Sequence, residues 1–152
     1  MTSADDTTIF EAIRDDHQTQ RRLIDLVMKT EGAGGGRAEL WERLHLELTA
    51  HAAAEERYFY VPLMEHDMTQ DAARHSVAEH KELDDFAEQL EGYDMSGSQW
   101  LQTARQLCER LTHHLDEEER EVYPVAGRVL DEDQKRMLAK EYREDMERRR
   151  SA

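Results

Sequence analysis

His51 precedes Glu55 by four residues, and His114 precedes Glu118 by four. On an α-helix four residues turn the chain through about 400°, so each histidine sits one turn from its glutamate on the same face and the two side chains can approach a common point. Imidazole and carboxylate donors without thiolate suit iron, manganese or zinc rather than copper(I) or an iron–sulfur cluster. The spacing recurs. Sixty-three residues separate His51 from His114, Glu55 from Glu118, and His17 from His80. The flanks agree approximately, Glu-Glu-Arg-Tyr-Phe-Tyr-Val-Pro from Glu55 and Glu-Glu-Arg-Glu-Val-Tyr-Pro from Glu118, with the prolines 62 apart. This pattern reads as a duplicated helical hairpin, each copy supplying one histidine from its first helix and a His-x-x-x-Glu from its second.

A chain with eight histidines and 35 acids also produces such pairs by chance. His75 with Glu79 and His113 with Glu117 read as solvated neighbours of that kind. The repeated histidines differ, because they lie among apolar residues at helical spacing. His17 follows Ile13 by four, His51 follows Leu48 by three, His80 sits three from both Val77 and Leu83, and His114 follows Leu111 by three. Four inward histidines with two inward glutamates call for a cation, since two uncompensated buried carboxylates would cost several kcal/mol each and take up protons instead. Two carboxylates able to bridge, with histidines on either side, favour a dinuclear centre.

The elements that must position these groups follow from composition. The 152 residues suit one domain. With 20 basic against 35 acidic residues the formal charge is −15, which repels phosphate backbones and anionic lipid, so neither nucleic acid nor membrane is expected as a partner. No stretch approaches the roughly 20 apolar residues of a bilayer span. A single cysteine, Cys108, excludes an internal disulfide and a cysteine-rich metal site, and its apolar spacing predicts burial. The opening Met-Thr-Ser-Ala-Asp-Asp places acids where a signal peptide needs basic residues, so a cytoplasmic location is expected.

Only seven glycines and two prolines interrupt the chain, which implies long helices. Apolar periodicity predicts helices over about 7–30, 38–62, 69–90 and 98–124, the first ended by the cluster Gly32, Gly34, Gly35 and Gly36, the third by Gly92, and the fourth capped by Ser98. Asp131 followed by Gln134 resembles a capping box for a short, charged fifth helix with a frayed arginine-rich tail. Strand signals are absent. The expected architecture is all-α, an up-down-up-down four-helix bundle over residues 1–130 with a C-terminal charged helix and tail over 131–152.

The order His17, then His51-Ala-Ala-Ala-Glu55-Glu56, then Glu79-His80, then His113-His114-Leu-Asp-Glu-Glu118-Glu119 running into Tyr123-Pro124, resembles the bacterial hemerythrin-like (HHE cation-binding) family over roughly residues 10–127. The resemblance implies a hemerythrin bundle holding two iron ions with an oxo or hydroxo bridge, iron being favoured over zinc or manganese. It implies that His17 and His51 bind one iron, that His80 and His114 bind the other, and that Glu55 and Glu118 bridge. Oxygen-carrying relatives have a further histidine four residues from the one on the third helix. Here Ser76 stands four before His80 and Asp84 four after, and His75, five residues away, is rotated about 140°. One iron is therefore expected to have fewer protein nitrogens. Tyr58, three residues after Glu55, is the expected phenol on the ligand face, as a ligand or a hydrogen-bond donor.

Two function classes follow. One is a redox-active di-iron protein that binds dioxygen, peroxide or nitric oxide, extending to catalase-like peroxide decomposition. The other is a non-catalytic metal-binding module that stores or senses iron, or holds zinc.

Overall fold

The computed structural model describes residues 6–32 and 34–152, and every regular element among them is helical. The first helix, α1, spans Ile9–Met28, with Thr8 as its cap accepting a hydrogen bond from the Glu11 amide. The second rod comprises α2 (Arg37–Glu55), a π-helical turn π1 (Glu56–Tyr60) and α3 (Val61–Met64). Then comes α4 (Asp67–Glu91). The fourth rod repeats the pattern of the second, with α5 (Ser98–Glu117), π2 (Glu118–Val122) and α6 (Tyr123–Val129). Last is α7 (Glu132–Ser151).

The expected antiparallel four-helix bundle is present, with several local differences. The fourth helix is capped by Gly97, and Ser98 is its first residue without a capping bond. Gly92 ends α4 in a right-handed conformation (φ −86°), so glycine's left-handed freedom is not used there. It is used at Gly36, the α2 cap, where φ is 79°. The capping box at Asp131 and Gln134 forms as expected. The helix it starts is not short. It runs 20 residues, and Arg148, Arg149 and Arg150 are paired within or across helices instead of fraying.

Both π turns precede a proline. Pro62 and Pro124 each stand two residues beyond the last residue of their π turn. Proline has no N–H to donate and its ring crowds the carbonyl four residues back. Widening the preceding turn relieves that crowding and absorbs one extra residue, with Val61 N–H bonding Glu56 O and Tyr123 N–H bonding Glu118 O.

The apolar core falls into two layers. At one end, Ile9, Ile13, Phe59, Tyr60, Leu63 and Tyr123 pack with Leu138, Ala139, Tyr142 and Met146 of α7. At the other, Leu23, Val27, Trp41, Leu44, Leu83, Trp100, Leu107 and Leu111 pack together, with Cys108 buried among them and its thiol pushed up to about 12 by burial. His17, His51, Glu55, His80, His114 and Glu118 occupy the level between these layers on all four bundle rods. No described helix is long and apolar enough to cross a membrane.

Candidate metal centre

All six of these side chains are buried to 5% exposure or less. Glu55 lies centrally: its Oε2 is 3.2 Å from His51 Nε2 and 4.0 Å from His17 Nε2, and its Oε1 is 3.1 Å from His80 Nε2. Glu118 spans the same gap, with Oε1 3.2 Å from His17 Nε2 and Oε2 3.6 Å from His114 Nε2. The donors form two overlapping groups, His17, His51, Glu55 and Glu118 on one side and Glu55, His80 and His114 on the other.

Every one of the four histidines is gripped from behind. His17 Nδ1 contacts Glu119 at 2.7 Å, His80 Nδ1 contacts Glu56 at 3.0 Å, and His114 Nδ1 contacts Glu79 at 2.8 Å. An ionised carboxylate only accepts, so these Nδ1 atoms donate. His51 Nδ1 instead meets the Tyr142 hydroxyl at 2.6 Å, and that hydroxyl donates to Asp16 Oδ2, also at 2.6 Å, so it accepts from His51. The consequence is uniform: with Nδ1 donating outward, each Nε2 is aimed inward, where it can exchange a proton for a metal, the arrangement that outer partners impose on metal-binding histidines. His80 Nε2 and His114 Nε2 then face each other at 3.2 Å, lone pair to lone pair unless a cation or proton stands between them.

The electrostatics express the same demand. Burial opposes charge on His17, yet Glu118 and Glu119 raise its pKa to about 9. Burial opposes charge on His80 too, and Glu55 and Glu56 raise it to about 10. Burial would also raise Glu55, but the His51 charge and its hydrogen-bonding neighbours hold it well below the usual carboxylate range, while Glu118 is raised by burial and by the charge of Glu55. Among the described residues, the buried side-chain atoms without a hydrogen-bond partner are His17 Nε2, His51 Nε2, both Glu55 oxygens and both amide atoms of Gln20. Buried polar groups are normally satisfied. Unpartnered imidazole nitrogens and carboxylate oxygens converging on one point fit bound cations.

A family model described as the hemerythrin HHE cation binding domain matches residues 8–126. The chain belongs to the hemerythrin HHE family. A solved hemerythrin HHE cation-binding-domain-containing protein from Mycobacterium kansasii superimposes with a TM-score of 0.86 over 95% of this chain and 88% of that chain, at 21% identity, so the likeness shows the shared fold. Comparison with curated proteins returns no match.

Within this HHE domain the fold thus brings together all six repeated histidines and glutamates. Tyr58 is elsewhere. It is half-buried against the apolar layer, with the Arg57 guanidinium 5.5 Å from its ring centroid. On a regular helix the third residue after Glu55 would face the site, but π1 widens the turn and hands that face to Tyr60, whose hydroxyl donates to Glu118 Oε2. Tyr123 donates to Glu118 Oε1 at 3.4 Å. Burial and the nearby carboxylates push both phenols well above their ordinary range, which keeps them donors. Tyr60 and Tyr123 are 63 residues apart, so the repeat offset already carried the signal that Tyr58 lacks.

The same offset relates Glu56 to Glu119 and Asp16 to Glu79. Glu79 reaches His114 directly, whereas Asp16, one methylene shorter, reaches His51 through Tyr142. Tyr142 belongs to α7, beyond the HHE match. Gln20, three residues after His17, was invisible to ligand-spacing arguments because amides rarely bind these metals. It lines, with His51, His80, His114, Leu83 and Leu111, a cavity of about 10 Å³, room for one water-sized molecule. His75 is exposed and outside the buried groups.

Proposed function

We propose that this HHE domain is a non-heme di-iron protein whose centre binds dioxygen, peroxide or nitric oxide and decomposes peroxide. The observation that carries the reading is the set of unpartnered inward atoms on His17, His51 and Glu55 beside a water-sized cavity that Gln20 lines. His17 and His51 would hold one ion, His80 and His114 the other, with Glu55 and Glu118 between them. Two irons in such a shell supply Lewis acidity and one-electron redox chemistry that the side chains alone lack.

The chain's own residues do the rest. Glu119, Glu56, Glu79 and Tyr142 fix the imidazole orientations. Tyr60 and Tyr123 hold Glu118 from two directions. Gln20 offers one amide donor and one carbonyl acceptor, the pairing a small polar ligand needs, and the leucines around it exclude bulkier molecules. Ser76, four residues before His80, is buried and brings a hydroxyl rather than an imidazole, so the His80 side would hold its ion with fewer nitrogen donors.

Metal analysis with an absorption spectrum of the aerobically purified protein tests this reading. Two irons per chain with an oxo-to-iron charge-transfer band is the expected result. Zinc alone, or one metal per chain, overturns it in favour of a non-catalytic storage, sensing or zinc-binding module.

A further inference from the structure

Outside the buried centre, two histidine–glutamate pairs that looked unrelated in the sequence converge. His75 and Glu79 lie four apart on α4, His113 and Glu117 four apart on α5, and the antiparallel packing of these helices brings His75, Glu79 and Glu117 into one donor group, with His113 joined to it through Glu117. His75 Nε2 is 3.5 Å from Glu79 Oε1 and 3.3 Å from Glu117 Oε1, and His113 Nε2 is 2.8 Å from Glu117 Oε2. A four-coordinate ion with bonds of about 2.1 Å sets its donors about 3.4 Å apart. Two of these separations match that edge without side-chain movement.

Charge points the same way. Neither Glu79 nor Glu117 pairs with a lysine or arginine among the described residues, and the basic side chains they meet are all imidazoles. Imidazole gives a lone pair to a metal as readily as it gives a proton to a carboxylate. The two histidine side chains are 58% and 59% exposed, so an ion reaches them from solvent without the bundle opening, while Glu79 beneath them is 7% exposed.

We propose that His75, His113, Glu79 and Glu117 form a second, surface site for one divalent cation of the zinc(II) or iron(II) class. The site stands whatever fills the buried centre. It is also adjacent to that centre, because Glu79 Oε1 accepts from His114 Nδ1 at 2.8 Å while facing His75, so one carboxylate joins the two places.

The test uses the protein with its buried centre filled as purified, titrated with zinc chloride in a calorimeter while released iron is measured. One additional zinc per chain without iron release is expected. In the His75→Ala/Glu117→Gln double variant zinc affinity should fall at least about tenfold, since losing even an outer partner of a metal ligand costs that much, with iron content and absorption spectrum unchanged. His113→Ala, at an exposed position, should also weaken zinc binding. Absence of the additional zinc, zinc uptake only in exchange for iron, or unchanged affinity in the double variant overturns the proposal.

Discussion

Tyr142→Phe isolates the contribution of α7 to the centre. The ring is fully buried, so phenylalanine keeps the packing volume and no water replaces the lost hydroxyl. Two contacts disappear, to His51 Nδ1 and to Asp16 Oδ2, each of 2.6 Å. Asp16 retains Arg150 at 2.7 Å, but the His51 N–H is left buried without an acceptor. Stranding such a donor costs about 1–3 kcal/mol. Removing the outer partner of a metal-binding histidine typically lowers metal affinity about 10–100-fold, which converts to a similar energy at 1.4 kcal/mol per decade. The expected result is therefore one weakened position, that of His17 and His51, about 10–100-fold, with the His80 and His114 position near its original affinity. Competition with a chelator for iron(II) under anaerobic conditions reads the two affinities, and urea denaturation of the metal-free protein reads the lost stability. Unchanged affinity of the His17 and His51 position relative to the parent protein would refute the assignment of Tyr142 as a positioning residue.

The remaining predictions concern pH, the second phenol and the cavity amide. His17 and His80 have pKa values of about 9 and about 10 in the fold against an ordinary 6.5, so their stabilisation of the metal-free protein is complete below pH 6.5 and is lost as pH rises through 9–10. Urea midpoints of the metal-free protein should fall between pH 7 and 10, and a flat or rising profile would contradict the raised values. Tyr60→Phe, by removing a donor to buried Glu118, should cost the metal-free protein about 1–3 kcal/mol and alter the spectrum of the metal-loaded one, whereas Tyr58→Phe should leave that spectrum unchanged. Gln20→Leu removes two unpartnered buried atoms and should stabilise the metal-free protein by about 1 kcal/mol while weakening azide binding to the iron-loaded form. A variant that binds azide as tightly as the parent would remove Gln20 from the ligand cavity.

How much of this was legible in the sequence varied with the physics behind each feature. The repeated His and Glu positions were readable because burial and ligation both act at helical period, and a duplication prints that period twice. Tyr60 was misread as Tyr58 because periodicity assumes 3.6 residues per turn, and the crowding ahead of Pro62 changes the local turn from α to π. The reach of Tyr142 to His51 spans 91 residues and depends on how α7 crosses α1 and α2, which no local pattern encodes. The charged surface of α7 also disguised its core face, since Leu138, Ala139, Tyr142 and Met146 are few among twenty residues. His75 and His113 are exposed as the solvated-pair reading expected, but Glu79 is buried against His114, and only the α4–α5 packing brings His75 to Glu117.

The outer carboxylates are exchanged between the two copies of the hairpin. Glu119 of the second copy holds His17 of the first, and Glu56 of the first holds His80 of the second. Neither hairpin contains the acceptor that orients its own leading histidine. A severed half would therefore keep three of the six inward donors yet present its leading imidazole with no fixed tautomer or direction. Assembly of the bundle and competence for metal are in that sense one cooperative event: the two repeats are mutually dependent halves rather than two one-metal modules joined by a loop.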